Sequence, residues 1–280
     1  MLKYRLISFP LLLLLAFLVV FWNPGGMWLF AALMLPISVA AILEIKKLAQ
    51  ALKVPVNIYL ALPALWLLLL KYGLGGILTQ YRSYLPSAQT TLVMLFAAVM
   101  LMLLFDPDRE RAVKSALATP GAVMLSAMIL LPLARIYFEY GSMIFLMLVL
   151  CTKASDTGGY IFGMLSGKLM KNGNHKIVPS ISPKKSWEGT IGAALFSMTT
   201  AYIFARCGIL TAPLMTVLIF GFLAFLGSFA GDLTESQLKR AANIKDSANW
   251  IPGMGGILDV IDSFIYNAPL FYLALINKVI

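Results

Sequence analysis

The stretch from Thr211 to Ser263, TAPLMTVLIFGFLAFLGSFA followed by GDLTESQLKRAANIKDSANWIPGMGGILDVIDS, changes character at Gly231. Its first part is apolar enough to sit in hydrocarbon. Its second part carries Asp232, Glu235, Asp246, Asp259 and Asp262, five of the twelve acidic residues in the chain. If the helix runs on through the change, Asp232 and Glu235 share one face, and Asp259 and Asp262 repeat the spacing. Between the pairs lie Lys239, Arg240 and Lys245, then Pro252-Gly253-Met254-Gly255-Gly256, where bare backbone can approach a bulky ligand. Hard oxygen ligands suit Mg²⁺, which takes one or two carboxylates and leaves its other positions to phosphates and water. Nearby cations suit those phosphates. A loop that only needed solvation would have no reason to pair carboxylates this way, and ionisable groups in or beside a membrane span mark functional sites.

The rest of the chain sets the fold class. Of its 280 residues 60% are hydrophobic and 12% charged, against about 25% charged in soluble proteins, and the mean hydropathy is +0.87. These values exclude an ordinary soluble domain and predict an all-α, polytopic integral membrane bundle. We read 1–280 as a single membrane-embedded domain, with an amino-terminal transmembrane half (1–140) and a carboxy-terminal half (141–280) that carries the catalytic segments. The net charge of +10 comes from cations scattered over short loops beside spans, which fits anionic lipid headgroups better than nucleic acid. Cys151 and Cys207 offer neither a CxxC pair nor a disulfide framework. His175 has no second histidine to share a metal with and is read as a polar loop residue, with a phosphate contact as the alternative.

A helix needs about 20 apolar residues to cross the hydrocarbon, and on that ruler nine spans are expected, near 6–22, 27–43, 54–72, 88–105, 119–137, 141–155, 187–206, 211–230 and 260–277. Met1 to Trp22 resembles a signal peptide, but no small-residue cleavage site follows it, so a retained span is expected. Lysines and arginines alternate between loops as the layout requires. Lys71, Arg82, Arg135, Arg206 and Lys278 fall on one side and the other 17 of the 22 on the opposite side. The positive-inside rule then puts the amino terminus and the 231–263 stretch in the cytoplasm, with the site at the inner ends of spans six to nine. Glu44, followed by Lys46 and Lys47, either anchors at the interface or points toward the active site and is read as the anchor, and Asp106 to Arg111 as a solvated connector.

A second polar region runs from Lys153 to Gly189. Asp156 precedes Thr157-Gly158-Gly159, so a carboxylate meets a backbone that either turns sharply or is closely approached. It serves either as a third acidic partner at the metal or as a hydrogen-bond hub. Ser182-Pro183 reads as an N-cap followed by proline at the first helical position. That would put Lys184 and Lys185 in the first turn of the seventh span, where unpaired N–H groups favour an anion. Interfacial snorkelling of the two lysines is the alternative.

Two of these segments resemble a known family. Ser236-Gln-Leu-Lys239-Arg240, then Lys245-Asp246, Ile251-Pro252, Gly255-Gly256, Asp259 and Asp262 are similar to the signature of the phosphatidate cytidylyltransferases (CDP-diacylglycerol synthases), bacterial type. Ser182-Pro183-Lys184-Lys185-Ser186-Trp187 resembles the family's other motif. The likeness covers the carboxy-terminal half. It departs at Met254, where the family pattern has His, and at Val260, where it has Arg, so contacts made by those side chains would be missing. The resemblance implies transfer of the cytidylyl group of CTP to phosphatidate, giving CDP-diacylglycerol and pyrophosphate for phospholipid biosynthesis. On that reading Asp232 and Asp259 are the first choices as Mg²⁺ ligands. Glu235, Asp246 and Asp262 serve a second cation or the outer shell. Lys239, Arg240 and Lys245 meet the triphosphate, and Ser182, Lys184 and Lys185 the other phosphate, with Gly255 and Gly256 against the substrate. The expected partners are CTP, phosphatidate or a related lipid phosphate, the lipid bilayer of the bacterial cytoplasmic membrane, and a second copy of the chain in a homodimer. Two other classes stay open: a lipid nucleotidyl- or phosphotransferase with another lipid substrate, and a cation-coupled transporter, which would hold its carboxylates mid-span on discontinuous helices.

Overall fold

The computed structural model describes the backbone of residues 2–279 apart from 75, 76, 78–80, 82, 171, 172, 211, 245, 246, 249, 253 and 254, and side chains from Pro10 onward. Among the described residues all regular elements are helical: α1 (Leu2–Phe21), α2 (Gly25–Ala51), α3 (Ile58–Leu68), α4 (Ala88–Phe105), α5 (Arg109–Arg135), α6 (Ser142–Leu169), α7 (Trp187–Arg206), α8 (Leu214–Ala241), α9 (Ile257–Ile261) and α10 (Phe264–Ile276). A π-helical turn closes α3 (Leu69–Gly73) and another closes α5 (Ile136–Tyr140). Helix lies over each of the nine expected apolar runs. Among the described residues five helices are long and apolar enough to cross a membrane: α2, α4, α5 with its π-turn, α6 and α8. On α4, Val93, Phe96, Leu101 and Leu104 stay exposed, as side chains facing lipid would.

Three boundaries differ from the sequence expectation. α6 does not end near 155 but continues through Asp156-Thr157-Gly158-Gly159 to Leu169, and α8 continues past the apolar run to Ala241. α7 begins at Trp187, not at Ser182-Pro183. Its N-cap is Ser186, extended at φ −132° and ψ 157°, whose side chain accepts from the Gly189 amide. The residues before it are held in a narrow hairpin, in which Ile177 N donates to Lys185 O and Trp187 N to His175 O. Lys184 and Lys185 therefore precede the helix and do not sit in its first turn.

The chain forms two compact units, Met1–Ser142 with Leu238–Ile261, and Met143–Gln237 with Asp262–Ile280. The first is built on α2 to α5, with Ile42, Leu65, Leu69, Val123 and Leu130 buried among them and Leu258 of α9 added to the same core. Asn57 caps α3 by accepting from Tyr59 N and Leu60 N, and Asp108 caps α5 by accepting from Arg111 N. Asp106 Oδ1 likewise accepts from Asp108 N (3.0 Å), so both aspartates of the Asp106–Arg111 connector hold backbone amides.

The second unit packs α6, α7, α8 and α10 through glycine. A Cβ on Gly158 would lie 2.5 Å from the Gly192 carbonyl oxygen and 2.8 Å from Phe196 Cβ, and one on Gly189 would lie 2.8 Å from Gly159 O. Small residues at such facing positions let helix backbones come close. Gly158 and Gly159 are thus a helix contact, the closely approached backbone of the two readings of this segment. Asn267, buried on α10, ties three helices by donating to Thr152 Oγ1 (3.1 Å) and Ala224 O (2.8 Å).

Overpacking of this kind costs about 1–3 kcal/mol. Gly158→Ala should therefore lower the detergent unfolding midpoint. Gly121→Ala, on α5, where an added Cβ meets nothing within 4 Å, should leave that midpoint nearly unchanged. Equal midpoints for the two variants would contradict the close α6–α7 contact.

Candidate active site

In the second unit three carboxylates converge. Asp232, Glu235 and Asp262 each offer an oxygen, and these atoms all lie within 4.8 Å of one another. Helical spacing on α8 puts the first two on one face. Gly231 brings in the third: a Cβ there would collide with the Asp262 carbonyl oxygen, so only glycine lets the turn between α9 and α10 come this near to α8. That turn is fixed by Asp262 itself, whose Oδ1 accepts from Ser263 N (2.5 Å) and lies 2.9 Å from Ser263 Oγ. Glu235 and Asp262 are buried and Asp232 half-buried.

Cations border the cluster. Lys185 Nζ lies 2.8 Å from Asp232 Oδ2, donates to Phe229 O at 3.1 Å and sits 4.1 Å from the centroid of the Phe229 ring. The hairpin before α7 aims it there, and Glu188 in the first turn of α7 holds that hairpin by accepting from His175 N (3.2 Å), with His175 Nδ1 2.7 Å from Glu188 Oε1. His175, expected as a plain loop residue, anchors this segment. Asp156 makes the contacts of a hub: Ser228 Oγ donates to its Oδ1 (2.6 Å), and Ser263 Oγ (3.2 Å) and Lys153 Nζ (3.1 Å) reach its Oδ2. Lys184 is exposed and Ser182 half-buried.

In the first unit a different network surrounds Asp259. Its Oδ1 lies 2.7 Å from Lys239 Nζ. Its Oδ2 accepts from Gly256 N (2.7 Å) and Ser247 N (3.3 Å) and lies 2.9 Å from Ser247 Oγ. The space left by absent side chains here is taken by protein atoms. A Cβ on Gly255, which has φ +99°, would meet Asp259 Oδ2, and one on Gly256 would meet Ser247 Oγ and Glu44 Oε2. Glu44 is 1% exposed. It is therefore not the interfacial anchor the sequence suggested, because its carboxylate points inward to amides that need an acceptor: Ile257 N (2.7 Å) and Leu258 N (2.8 Å), with Ser247 Oγ at 2.7 Å.

Of the residues expected to hold metal, Asp232 thus lies with Glu235 and Asp262, while Asp259 lies with Lys239, Ser247 and Gly256. Arg240 is exposed at the end of α8. Lys245, Asp246 and Met254 lie outside the described residues, and Val260 is half-buried on α9. Sequence reasoning missed Ser247 and Ser263, and for Glu44 it preferred the interfacial anchor to the inward-pointing alternative. The one available signal was an acidic residue at the end of an apolar run.

Comparison with known proteins gives the context. Over 140 residues, half of this chain, it is 39% identical to a phosphatidate cytidylyltransferase of Mycobacterium bovis, covering 44% of that protein. Over 119 residues, 42% of the chain, it is 41% identical to phosphatidate cytidylyltransferase 4, chloroplastic, of Arabidopsis thaliana, covering 29% of it. Over 144 residues, 47% of the chain, it is 35% identical to a phosphatidate cytidylyltransferase of Haemophilus influenzae, covering 45% of it. The matches thus take in less than half the length of these relatives. A family model, by contrast, spans residues 3–277, nearly the whole sequence, and on that match the chain belongs to the cytidylyltransferase family.

Proposed function

We propose that this protein transfers the cytidylyl group of CTP to phosphatidate or a closely related lipid phosphate. A phosphate oxygen of the lipid attacks the α-phosphorus of CTP, the α–β bridging bond breaks, and pyrophosphate leaves. The observation that carries this reading is the Asp232–Glu235–Asp262 cluster bordered by Lys185. Family membership and the names of the relatives support it.

The donor set fits a hard divalent cation: three carboxylates, no sulfur and no imidazole. Asp232, Glu235 and Asp262 would hold Mg²⁺, which when bound neutralises charge on the transferring phosphate oxygens. The chain's own residues position and clamp. Lys185, half-buried between Asp232 and the Phe229 ring, presents an ammonium to a phosphate from a fixed place. Ser182 and Lys184 lie on the same hairpin. Asp259, Lys239 and Arg240, together with Lys245 and Asp246, are assigned to the metal-bound nucleotide by the motif they share. In-line transfer between phosphates asks for such positioning and charge stabilisation more than for a protein nucleophile.

The reading includes a place. With 17 of 22 lysines and arginines on one set of loops, the amino terminus and the site face the cytoplasm of a bacterial cell, where CTP is. The protein is multi-pass in the cytoplasmic membrane, so a soluble nucleotide and a lipid headgroup can meet at its surface.

Asp232→Asn and Asp262→Asn each keep the side-chain volume and remove a charge. Each should lower CTP-dependent liponucleotide formation by about 100-fold or more, and the double variant should be little worse than either alone. Near-normal turnover of either single variant at saturating Mg²⁺ and matched expression would sink the metal assignment. Lys185→Met should raise the apparent KM for one of the two phosphate substrates by about tenfold. Unchanged kinetics with both would reduce Lys185 to a structural partner of Asp232.

A further inference from the structure

We propose that Glu44, far outside the acidic stretch in sequence, is a positioning residue that fixes Asp259 and, through it, Lys239. Its carboxylate is buried at 1% exposure in an apolar helix pair, an arrangement that costs several kcal/mol unless donors converge on it. Three do: Ile257 N on Oε1, and Leu258 N and Ser247 Oγ on Oε2. A hydrophobic side chain would pack α2 against α9 as well, so packing alone does not account for a carboxylate. What the carboxylate adds is an acceptor for the first amides of α9, a helix of five residues, too short to hold its own geometry.

The second element of the grip is one helical turn further along α2. Lys47 Nζ donates to Ser247 O at 2.9 Å, so α2 holds residue 247 by its hydroxyl and by its carbonyl. Ser247 Oγ in turn lies 2.9 Å from Asp259 Oδ2, an oxygen that also accepts from Gly256 N. The chain of contacts runs from Glu44 through Ser247 and the α9 amides to Asp259, whose other oxygen meets Lys239. Gly256 must be glycine for this to close, because a Cβ would collide with both Ser247 Oγ and Glu44 Oε2. Glutamine cannot replace Glu44 here. It offers one acceptor oxygen and an NH2 group where both carboxylate oxygens face N–H donors.

The kinetic consequence rests on the cytidylyltransferase reading. Asp259 and Lys239 are assigned to the nucleotide, so loosening them should affect CTP and spare the lipid. The experiment compares wild type, Glu44→Gln, Glu44→Ala and Ser247→Ala in detergent or bilayer discs, by hydrogen exchange and by steady-state kinetics. Both Glu44 variants should speed exchange of the Ile257 and Leu258 amides by about tenfold or more. They should also raise the apparent KM for CTP by about tenfold while the KM for the lipid phosphate stays within about twofold. Ser247→Ala, which leaves the α9 amides capped, should raise the CTP KM without speeding their exchange, and it keeps the test open if Glu44→Ala fails to fold. Wild-type protection of both amides in Glu44→Gln would overturn the proposal. So would a lower kcat with both KM values unchanged, the mark of a smaller folded fraction. A wild type that transfers no cytidylyl group would overturn the function, while the exchange measurement would still decide the role of Glu44.

Discussion

Carboxylates buried among apolar helices are the constraint on which the rest of this structure depends. An ionised carboxylate taken out of water must be met by donors, a cation or a metal, and the chain answers differently in its two units. In the first, Glu44 is met by the amides of α9 and by Ser247, and Asp259 by Lys239, Ser247 and Gly256. In the second, Asp156, which is exposed, gathers Ser228, Ser263 and Lys153, while half-buried Asp232, paired with Lys185, stands with buried Glu235 and Asp262 in a group whose oxygens lie within 4.8 Å of one another. Carboxylates held this close repel unless a proton or cations offset their charge; Lys185 meets Asp232, and a divalent ion held by all three would offset the rest, which is the physical content of the metal proposal.

Glycine is what makes these approaches geometrically available. Gly231 admits the backbone at Asp262, and Gly256 admits Glu44 and Ser247. Gly158, Gly189 and Gly192 bring α6 and α7 together in the unit whose hairpin presents Lys185. None of these positions is a loop tip chosen for freedom of motion. Each is a place where a Cβ would push packed backbone or side chains apart.

Much of this was legible in the sequence. The apolar runs located the helices, because burying backbone in hydrocarbon leaves a helix as the one local solution. The i, i+3 spacing of Asp232 and Glu235 put them on one face as soon as α8 was seen to continue. What was not legible depended on contacts across long stretches of chain. Glu44 and Ser247 are 203 residues apart, and nothing local distinguishes an acidic residue anchored at an interface from one turned inward. Ser182 and Ser186 are both good N-caps, and the hairpin pairing of 176 with 186 selected the second. Gly158-Gly159 carries the same local signal whether it turns the chain or admits a neighbouring helix. Asp259 and Asp262 looked equivalent by spacing, yet the break between α9 and α10 sends them into separate networks.

The central claim is that a cytidylyl group moves from CTP to a lipid phosphate. The most direct test gives the purified wild-type protein, in phosphatidate-containing bilayers with Mg²⁺, CTP labelled either at the α- or at the γ-phosphorus. The account predicts that α-label enters the chloroform-soluble lipid while γ-label leaves as pyrophosphate. Label from the γ-phosphorus in lipid, or none in lipid from either nucleotide, would contradict it.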